Sequence, residues 1–243
     1  LGASLVAVTA SDRPMTSSMA GAHRVLAAAK RKNTPFMVPS AYEYLKEIEV
    51  AVFRMNDIGD MTFYEARSSG TTMYQYALHG LWFTLRAMGV DVERIGHRAE
   101  KPVDAPSLTT LEHVRGGRRI YGTIHHNPMR TMMCAVKAYG TKGDFEVGAT
   151  TDGRPWYRDV FTYLEMCHAF ERMIRTRQMP QTYDYIEAKM RVFLSLLHSQ
   201  MEKNGALVEV AALPETWDAG FPKGYRNSYS EEIIAKYRAA LKK

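Results

Sequence analysis

The chain has 243 residues, of which 46% are hydrophobic and 24% charged, and its formal net charge is +6. This length and composition allow a substantial buried core in one large or two small units. No apolar run approaches the ~20 residues that cross a bilayer, so we expect no membrane-spanning helix, and the opening segment lacks the basic leader of a signal peptide.

The distribution of charge and cysteine bears on partners and compartment. Basic residues are scattered along the chain, which is typical of a solvated surface and does not indicate a nucleic-acid site. Cys134 and Cys167 lie far apart in apolar settings, so we expect buried thiols in a reducing compartment. The sequence therefore predicts a cytoplasmic protein with no nucleic-acid or membrane partner.

The first part of the chain alternates between strand and helix. The predicted elements are a strand at 6–9, a helix at 19–32 capped by Ser17 or Ser18, a buried strand at 35–38 and a helix at 41–55. This order is typical of a parallel α/β sheet with crossover connections. We interpret residues 1–56 as part of such an α/β unit.

The pattern changes after Gly59. We predict a strand at 61–67, a helix at 72–88, strands at 92–97, 109–114, 119–125, 131–139 and 144–147, helices at 157–177 and 183–204, and a last strand at 207–211. Glycines at 116–117 and 140–143 favour hairpin turns, so these strands should be antiparallel. Residues 57–212 form an α+β domain in this interpretation, and 213–243 form an extension with a terminal helix capped at Ser228.

Five motifs follow one another in a familiar order and spacing. They are Asp12-Arg13-Pro14 before a Ser-capped, Ala-rich helix, Asn56 to Asp60 before a strand, His79-Gly80 in a helix that closes with Met88-Gly89, the 136–143 hairpin, and two late helices broken at Gln178-Met179-Pro180. Over nearly the whole chain up to about residue 211, this order resembles the Gfo/Idh/MocA oxidoreductases, the family of glucose-fructose oxidoreductase and inositol dehydrogenase.

The resemblance implies an α/β fold in which the closing part of a Rossmann-type domain, residues 1–56, precedes a mostly antiparallel open sheet flanked by helices. It also implies NAD or NADP as cofactor. No G-x-G-x-x-G follows any predicted strand, so the phosphate-binding turn of that domain is not in this sequence. We therefore expect the remainder of the nucleotide-binding domain to lie upstream.

The resemblance places Arg13 where the family carries the lysine of its Glu-Lys-Pro segment, beside nicotinamide and the reacting hydroxyl. A guanidinium keeps its proton and makes forked contacts to carboxylates, so Arg13 would orient a substrate and not act as a base. Asp12, Arg13 and Pro14 together would contact the cofactor. The alternative is a surface ion pair of Arg13 near Asp12.

The family commonly has an aspartate four residues before its histidine, on one helix face. This chain has Gln75 and His79 at that spacing. An imidazole can take the hydroxyl proton during hydride transfer, whereas the Gln75 amide can only hydrogen-bond to His79 and set its tautomer. We predict Arg13, Gln75 and His79 as catalytic residues of one pocket, against the alternative of a structural histidine in an amphipathic helix.

Ser40 and Tyr42 follow the second predicted strand, where family members present side chains to cofactor or substrate. Both can hydrogen-bond a carboxamide or ribose, and both also suit a helix cap and a half-buried face. A metal site is not expected: Glu165 and His168 supply a single E-x-x-H, and adjacent His125 and His126 on a strand point to opposite faces.

The sequence thus predicts an NAD(P)-dependent oxidoreductase that acts on a hydroxyl or keto group of a sugar, polyol or sugar acid. A small sugar-like molecule is the expected partner, together with further copies of the chain, because an exposed apolar sheet face is unfavourable in water. The alternative is a non-catalytic relative that keeps the fold for ligand binding or assembly, since Arg13 and Gln75 replace residues that the chemistry uses.

Overall fold

The computed structural model describes residues 14–69, 77–99, 106–127, 133–150 and 155–220. The helices are α1 (Met19–Arg31), α2 (Lys46–Arg54), α3 (Leu78–Met88), α4 (Pro155–Thr176) and α5 (Tyr183–Glu202). The strands are β1 (Met61–Ser69), β2 (Val92–Ala99), β3 (Ser107–Arg115), β4 (Arg118–Asn127), β5 (Met133–Gly140), β6 (Gly143–Thr150) and β7 (Val208–Glu209).

The seven strands form one open sheet in the order β6-β5-β1-β4-β3-β2-β7. Each neighbouring pair is antiparallel except β1 and β4, which run parallel with Phe63 opposite Tyr121. The predicted open, mostly antiparallel sheet flanked by helices is confirmed. Because β1 and β4 are parallel, their last residues, Ser69 and Asn127, reach the same edge of the sheet.

One face of the sheet is covered by helices α3 and α5. Trp82 and Phe83 of α3 and Phe193 of α5 are fully buried, and they share a core with Tyr64 of β1. Burying a large apolar side chain of this kind stabilises the fold by roughly 1.5 to 3 kcal/mol. The same core continues through Met19 of α1, so α1 packs with the sheet domain; the boundary at residue 56 stays a prediction.

The other face carries alternating polar and aromatic side chains. Glu112 of β3 pairs with Arg94 and Arg119, and Arg67 of β1 pairs with Glu146 of β6. We expected this face to be apolar. It is more polar than expected, because side chains of opposite charge on neighbouring strands form ion pairs across it. The ion pairs therefore leave these charged side chains of the face partnered within the chain.

Several predicted elements differ in detail. The helix predicted at 41–55 is a 3-10 turn, Ala41–Tyr44, followed by α2, with Leu45 extended between them. In place of the strand at 35–38 there is a single bridge residue, Met37. The predictions at 6–9, at 72–76 and beyond residue 220 lie outside the described residues.

The two cysteines differ in environment. Cys134 is buried on β5, where burial raises the pKa of its thiol to about 12, as expected for an inert core cysteine. Cys167 is exposed on α4, so its prediction as a buried thiol was wrong. Its apolar neighbours in sequence lie on other sides of the helix, because successive helical residues are about 100° apart.

No helix among the described residues combines the length and apolarity needed to span a bilayer. Within the same part of the chain, no three His, Cys, Asp or Glu side chains converge as metal ligands would. Glu165 and His168 only approach each other, with 3.7 Å between Oε2 and Nδ1.

Candidate functional site

Ser40 is the last residue of the buried segment 35–40 and the N-cap of the 3-10 turn Ala41–Tyr44. Its Oγ accepts a hydrogen bond from the Tyr42 backbone N–H at 3.2 Å, and its own N–H donates to Glu43 Oε2 at 2.8 Å. Together these bonds belong to a capping box, in which the side chains of a serine and of a glutamate three residues later accept hydrogen bonds from backbone N–H groups at the start of a helix. The box fixes the Ser40 side chain in one position, and Ser40 is fully buried.

His79 lies at the start of α3 and faces this cap. Its Nδ1 is 2.8 Å from Ser40 Oγ, and its ring centroid is 5.7 Å from that of Tyr42. The His79 side chain retains 8% exposure. The structure therefore brings His79, the predicted catalytic histidine, into contact with Ser40 and Tyr42, the predicted cofactor contacts, although His79 and Ser40 are 39 positions apart.

The other predicted site residues cannot be placed in the same way. Asp12, Arg13 and Gln75 lie outside the described residues, and Pro14 is buried. The expected approach of Arg13 and Gln75 to His79 stays a prediction.

Gly80, directly after His79, explains how α3 comes so near the sheet. A Cβ at this position would lie 2.0 Å from Ser68 Oγ, closer than any side chain can approach. Ser68 lies near the end of β1 and pairs in register with His126 of β4. The glycine therefore lets the first turn of α3 pack on the edge where the parallel strands end, and it carries His79 to that edge.

Beneath the cap lies a fully buried ion pair. Lys189 Nζ lies 2.9 and 3.0 Å from the two carboxylate oxygens of Glu43, and it also donates to the Val38 carbonyl at 2.7 Å. Gln181 Nε2 donates to Glu43 Oε1 at 3.0 Å, and the Trp82 ring lies 4.2 Å from the Lys189 ammonium. Burial lowers the pKa of Lys189, and the Glu43 carboxylate opposes that change. The carboxylate is thus held in the orientation that receives the Ser40 N–H.

Glu43 and Lys189 were missed in the sequence analysis. The pair Ser40-x-x-Glu43 has the spacing of a capping box and could have been recognised. Lys189 follows Ile186 by three residues and precedes Phe193 by four, so it falls on the apolar face of α5. A lysine at such a position indicates a buried charge, but nothing in the spacing identifies its partner.

A second buried histidine cluster lies on the covered face of the sheet. Thr109 Oγ1 is 2.8 Å from His97 Nδ1 and 3.0 Å from His126 Nε2. Burial lowers the pKa of His97 to about 4 and that of His126 to about 3, with the neighbouring histidines adding to the second shift. Both rings are therefore neutral near pH 7 and act there as hydrogen-bonding groups. His125, next in sequence, is exposed on the opposite face, as predicted.

Comparison with solved structures identifies proteins of similar fold. A probable dehydrogenase from Thermotoga maritima is 13% identical with a TM-score of 0.69, and covers 85% of this chain and 73% of its own. An oxidoreductase from Agrobacterium radiobacter, solved with NAD+, L-tartaric acid and magnesium, is 13% identical with a TM-score of 0.68 and the same coverage. The scyllo-inositol dehydrogenase from Lactobacillus casei, solved with NAD(H) and scyllo-inositol, is 12% identical with a TM-score of 0.63, covering 84% and 73%.

These similarities show the fold that the motif order implied: the chain shares the architecture of dehydrogenases of the Gfo/Idh/MocA type. No protein-family model and no curated protein matches the sequence.

Proposed function

We propose that this chain is an oxidoreductase that uses NAD or NADP to oxidise a hydroxyl or reduce a keto group on a sugar, polyol or sugar acid. The observation that carries the proposal is the placement of His79. A polar cap holds its ring at the start of α3, beside the sheet edge where β1 and β4 end. The similarity in fold to structures solved with NAD(H) and with a polyol or a hydroxy acid supports the same function.

We assign described residues of this chain only to the nicotinamide end of the cofactor. Nicotinamide, when bound, accepts or delivers the hydride. Tyr42 and His79 would lie near it, together with the Asp12-Arg13-Pro14 turn. No glycine-rich turn is present in the sequence, so we assign no residue to the pyrophosphate.

Ser40 takes a different role in this proposal from the cofactor contact that the sequence suggested. Its side chain is fully buried, and its Oγ is engaged by Tyr42 N–H and His79. This arrangement favours Ser40 as the residue that orients His79. The substrate contacts would then come from His79 at the reacting oxygen and from Arg13, whose guanidinium would bind a carboxylate by two parallel hydrogen bonds.

The test measures cofactor binding and turnover separately on the full chain. NADH and NADPH binding are followed by fluorescence, and turnover by the change in nicotinamide absorbance with a panel of polyols, sugars and sugar acids. His79→Gln should lower kcat by roughly 10² to 10⁴ while cofactor affinity changes little. His168→Gln, an exposed histidine on α4, is the matched control and should retain activity.

A non-catalytic relative is the second candidate, and the substitutions at Arg13 and Gln75 favour it. Tight cofactor binding with no turnover across the whole panel would establish this candidate and contradict an enzyme. If turnover occurs, sugar acids should be better substrates than neutral polyols, and Arg13→Lys should reduce that preference because an ammonium lacks the forked geometry.

We also infer that the chain forms homo-oligomers through the uncovered sheet face. Tyr121, 48% exposed on this face, supports the inference, and so do the ion pairs that leave little unpaired charge on neighbouring strands. Light scattering that shows only a monomer at micromolar concentration would contradict it.

A further inference from the structure

The direction of the hydrogen bond between Ser40 and His79 follows from the other contacts of the serine. A hydroxyl carries one proton to donate and two lone pairs. One lone pair of Ser40 Oγ is used by the Tyr42 N–H at 3.2 Å. Ser40 is fully buried, so bulk water cannot accept the hydroxyl proton.

Glu43 does not compete for that proton. Its Oε2 receives the Ser40 backbone N–H at 2.8 Å and Lys189 at 3.0 Å, while its Oε1 receives Gln181 and Lys189. With the carboxylate engaged by these donors, the contact of Ser40 Oγ that can accept a proton is His79 Nδ1, at 2.8 Å. The opposite direction would leave the buried hydroxyl proton without an acceptor among the residues that the structure describes, which is unfavourable.

We propose that Ser40 is a positioning residue that holds neutral His79 with its proton on Nε2, so that any group meeting Nε2 must accept a hydrogen bond. The ring nitrogen that carries the proton is set by the bond at the other nitrogen. His79 then recognises a carbonyl or carboxylate oxygen, and it is not poised to take a proton from a hydroxyl. The ligand half of this inference rests on the proposed function, because it takes the ligand at His79 to be the substrate.

The substrate class that fits this polarity is a carbonyl compound, such as a keto sugar or keto acid. A hydrogen bond from Nε2–H polarises the C=O bond, as neutral imidazoles do in other active sites. A Gln75 side chain near Nε2 would present its amide oxygen and satisfy the same polarity in the absence of ligand.

The first experiment determines the tautomer in the full chain with isotopically labelled histidines. Proton–nitrogen multiple-bond NMR spectra distinguish the two neutral forms, and the signals of His79 among the eight histidines are identified by their loss in His79→Gln. The wild-type protein should show the Nε2–H form. Finding the Nδ1–H form would overturn the inference, whatever the protein binds.

Variants separate a positioning role from a structural one. Ser40→Ala should shift the ratio of the two tautomers about tenfold toward Nδ1–H, and Ser40→Thr, which keeps the hydroxyl, should restore it. Ser195→Ala is the matched control, since Ser195 is also fully buried but its hydroxyl has no hydrogen-bond partner among the described residues. An unchanged ratio in Ser40→Ala would contradict the role of Ser40.

The second experiment tests the ligand class with dihydroxyacetone and glycerol, which share a carbon skeleton and differ in one carbonyl. At equal concentration, dihydroxyacetone should move the His79 nitrogen signals and glycerol should move them less. If glycerol has the larger effect, the carbonyl assignment is wrong. If neither probe affects His79 while the Nε2–H form is present, the ligand site of the proposed function fails and the tautomer assignment stands.

Discussion

Two buried histidine–hydroxyl contacts lie near one edge of this sheet, and they differ in what fixes them. In the first, Ser40 Oγ also accepts the Tyr42 backbone N–H, so the remaining bond to His79 has one favoured direction. In the second, Thr109 Oγ1 lies between His97 and His126, with 2.8 and 3.0 Å to their nitrogens, and the hydroxyl can donate to either ring. A backbone amide thus orients the first pair, whereas the second has two nearly equivalent arrangements.

The supports of the two contacts differ as well. The first rests on the buried charges of Glu43 and Lys189, and the second is composed of neutral groups. Buried charges are costly to leave unpaired, while neutral groups lose single hydrogen bonds. Disturbing the first contact should therefore cost more free energy of unfolding, and disturbing the second should appear mainly in its response to pH.

Lys189→Met should have the largest effect. It leaves Glu43 buried without its cation, and breaking a buried pair in this way typically costs about 3 to 5 kcal/mol of unfolding free energy. Chemical denaturation followed by circular dichroism measures the loss. The double variant Lys189→Met with Glu43→Gln removes both charges and should recover part of it; a single variant as stable as the wild type would mean that the pair does not support the cap.

Acidification should affect the second contact next. The pKa of His97 is lowered to about 4 and that of His126 to about 3, below the unfolded value of about 6.5. Between about pH 4 and 6.5 the unfolded state therefore binds more protons, and stability falls as the pH decreases, by on the order of 2 kcal/mol per histidine at pH 4.5.

Denaturation at a series of pH values measures this slope. His126→Gln should reduce it, while His125→Gln, on the exposed face of the same strand, is the control and should leave it unchanged. Equal slopes in all three proteins would show that His126 is not a source of the pH dependence.

Thr109→Val should have a smaller effect, about 1 to 3 kcal/mol at pH 7. The substitution keeps the shape of the side chain but leaves two buried imidazole nitrogens without their shared hydroxyl. Thr110→Val, on the opposite face of β3, is the matched control. The tautomer of His79 should be the same in both variants, because its own hydroxyl is Ser40; a change there would mean that the two contacts are coupled.

Glu146→Gln should have the smallest effect, within about 1 kcal/mol, because both Glu146 and Arg67 are about half exposed and solvent screens their attraction. Thermal unfolding at low and high salt measures it. A larger loss would show that the uncovered face is buried in solution by another copy of the chain.

The sequence predicted the elements where hydrophobic periodicity is strong. The bounds of α1 and α5 agree with their predictions to within two residues, and the hairpin glycines stand where turns occur. The break at Leu45 was not predicted, because the segment is apolar and helix-forming and no glycine or proline marks an interruption there.

The candidate site was predictable to a lesser extent. The motif order singled out Ser40, Tyr42 and His79 one by one, but the contacts of His79 with Ser40 and Tyr42 are known only from the structure. The motif order did not suggest Lys189, whose partner Glu43 lies 146 positions earlier. Such pairs depend on how helices pack, and the spacing of residues along one helix carries no information about the other.

The parallel pairing of β1 with β4 has a consequence for how the chain reaches its native state. The β3–β4 and β5–β6 hairpins close through turns of a few residues. Phe63 and Tyr121, in contrast, pair across a long segment of chain that contains α3, β2 and β3. Closing the longer loop costs more entropy before any contact compensates for it. The centre of the sheet is therefore expected to assemble last, so that amides in the two hairpins become protected from pulse-labelling hydrogen exchange earlier than those of β1.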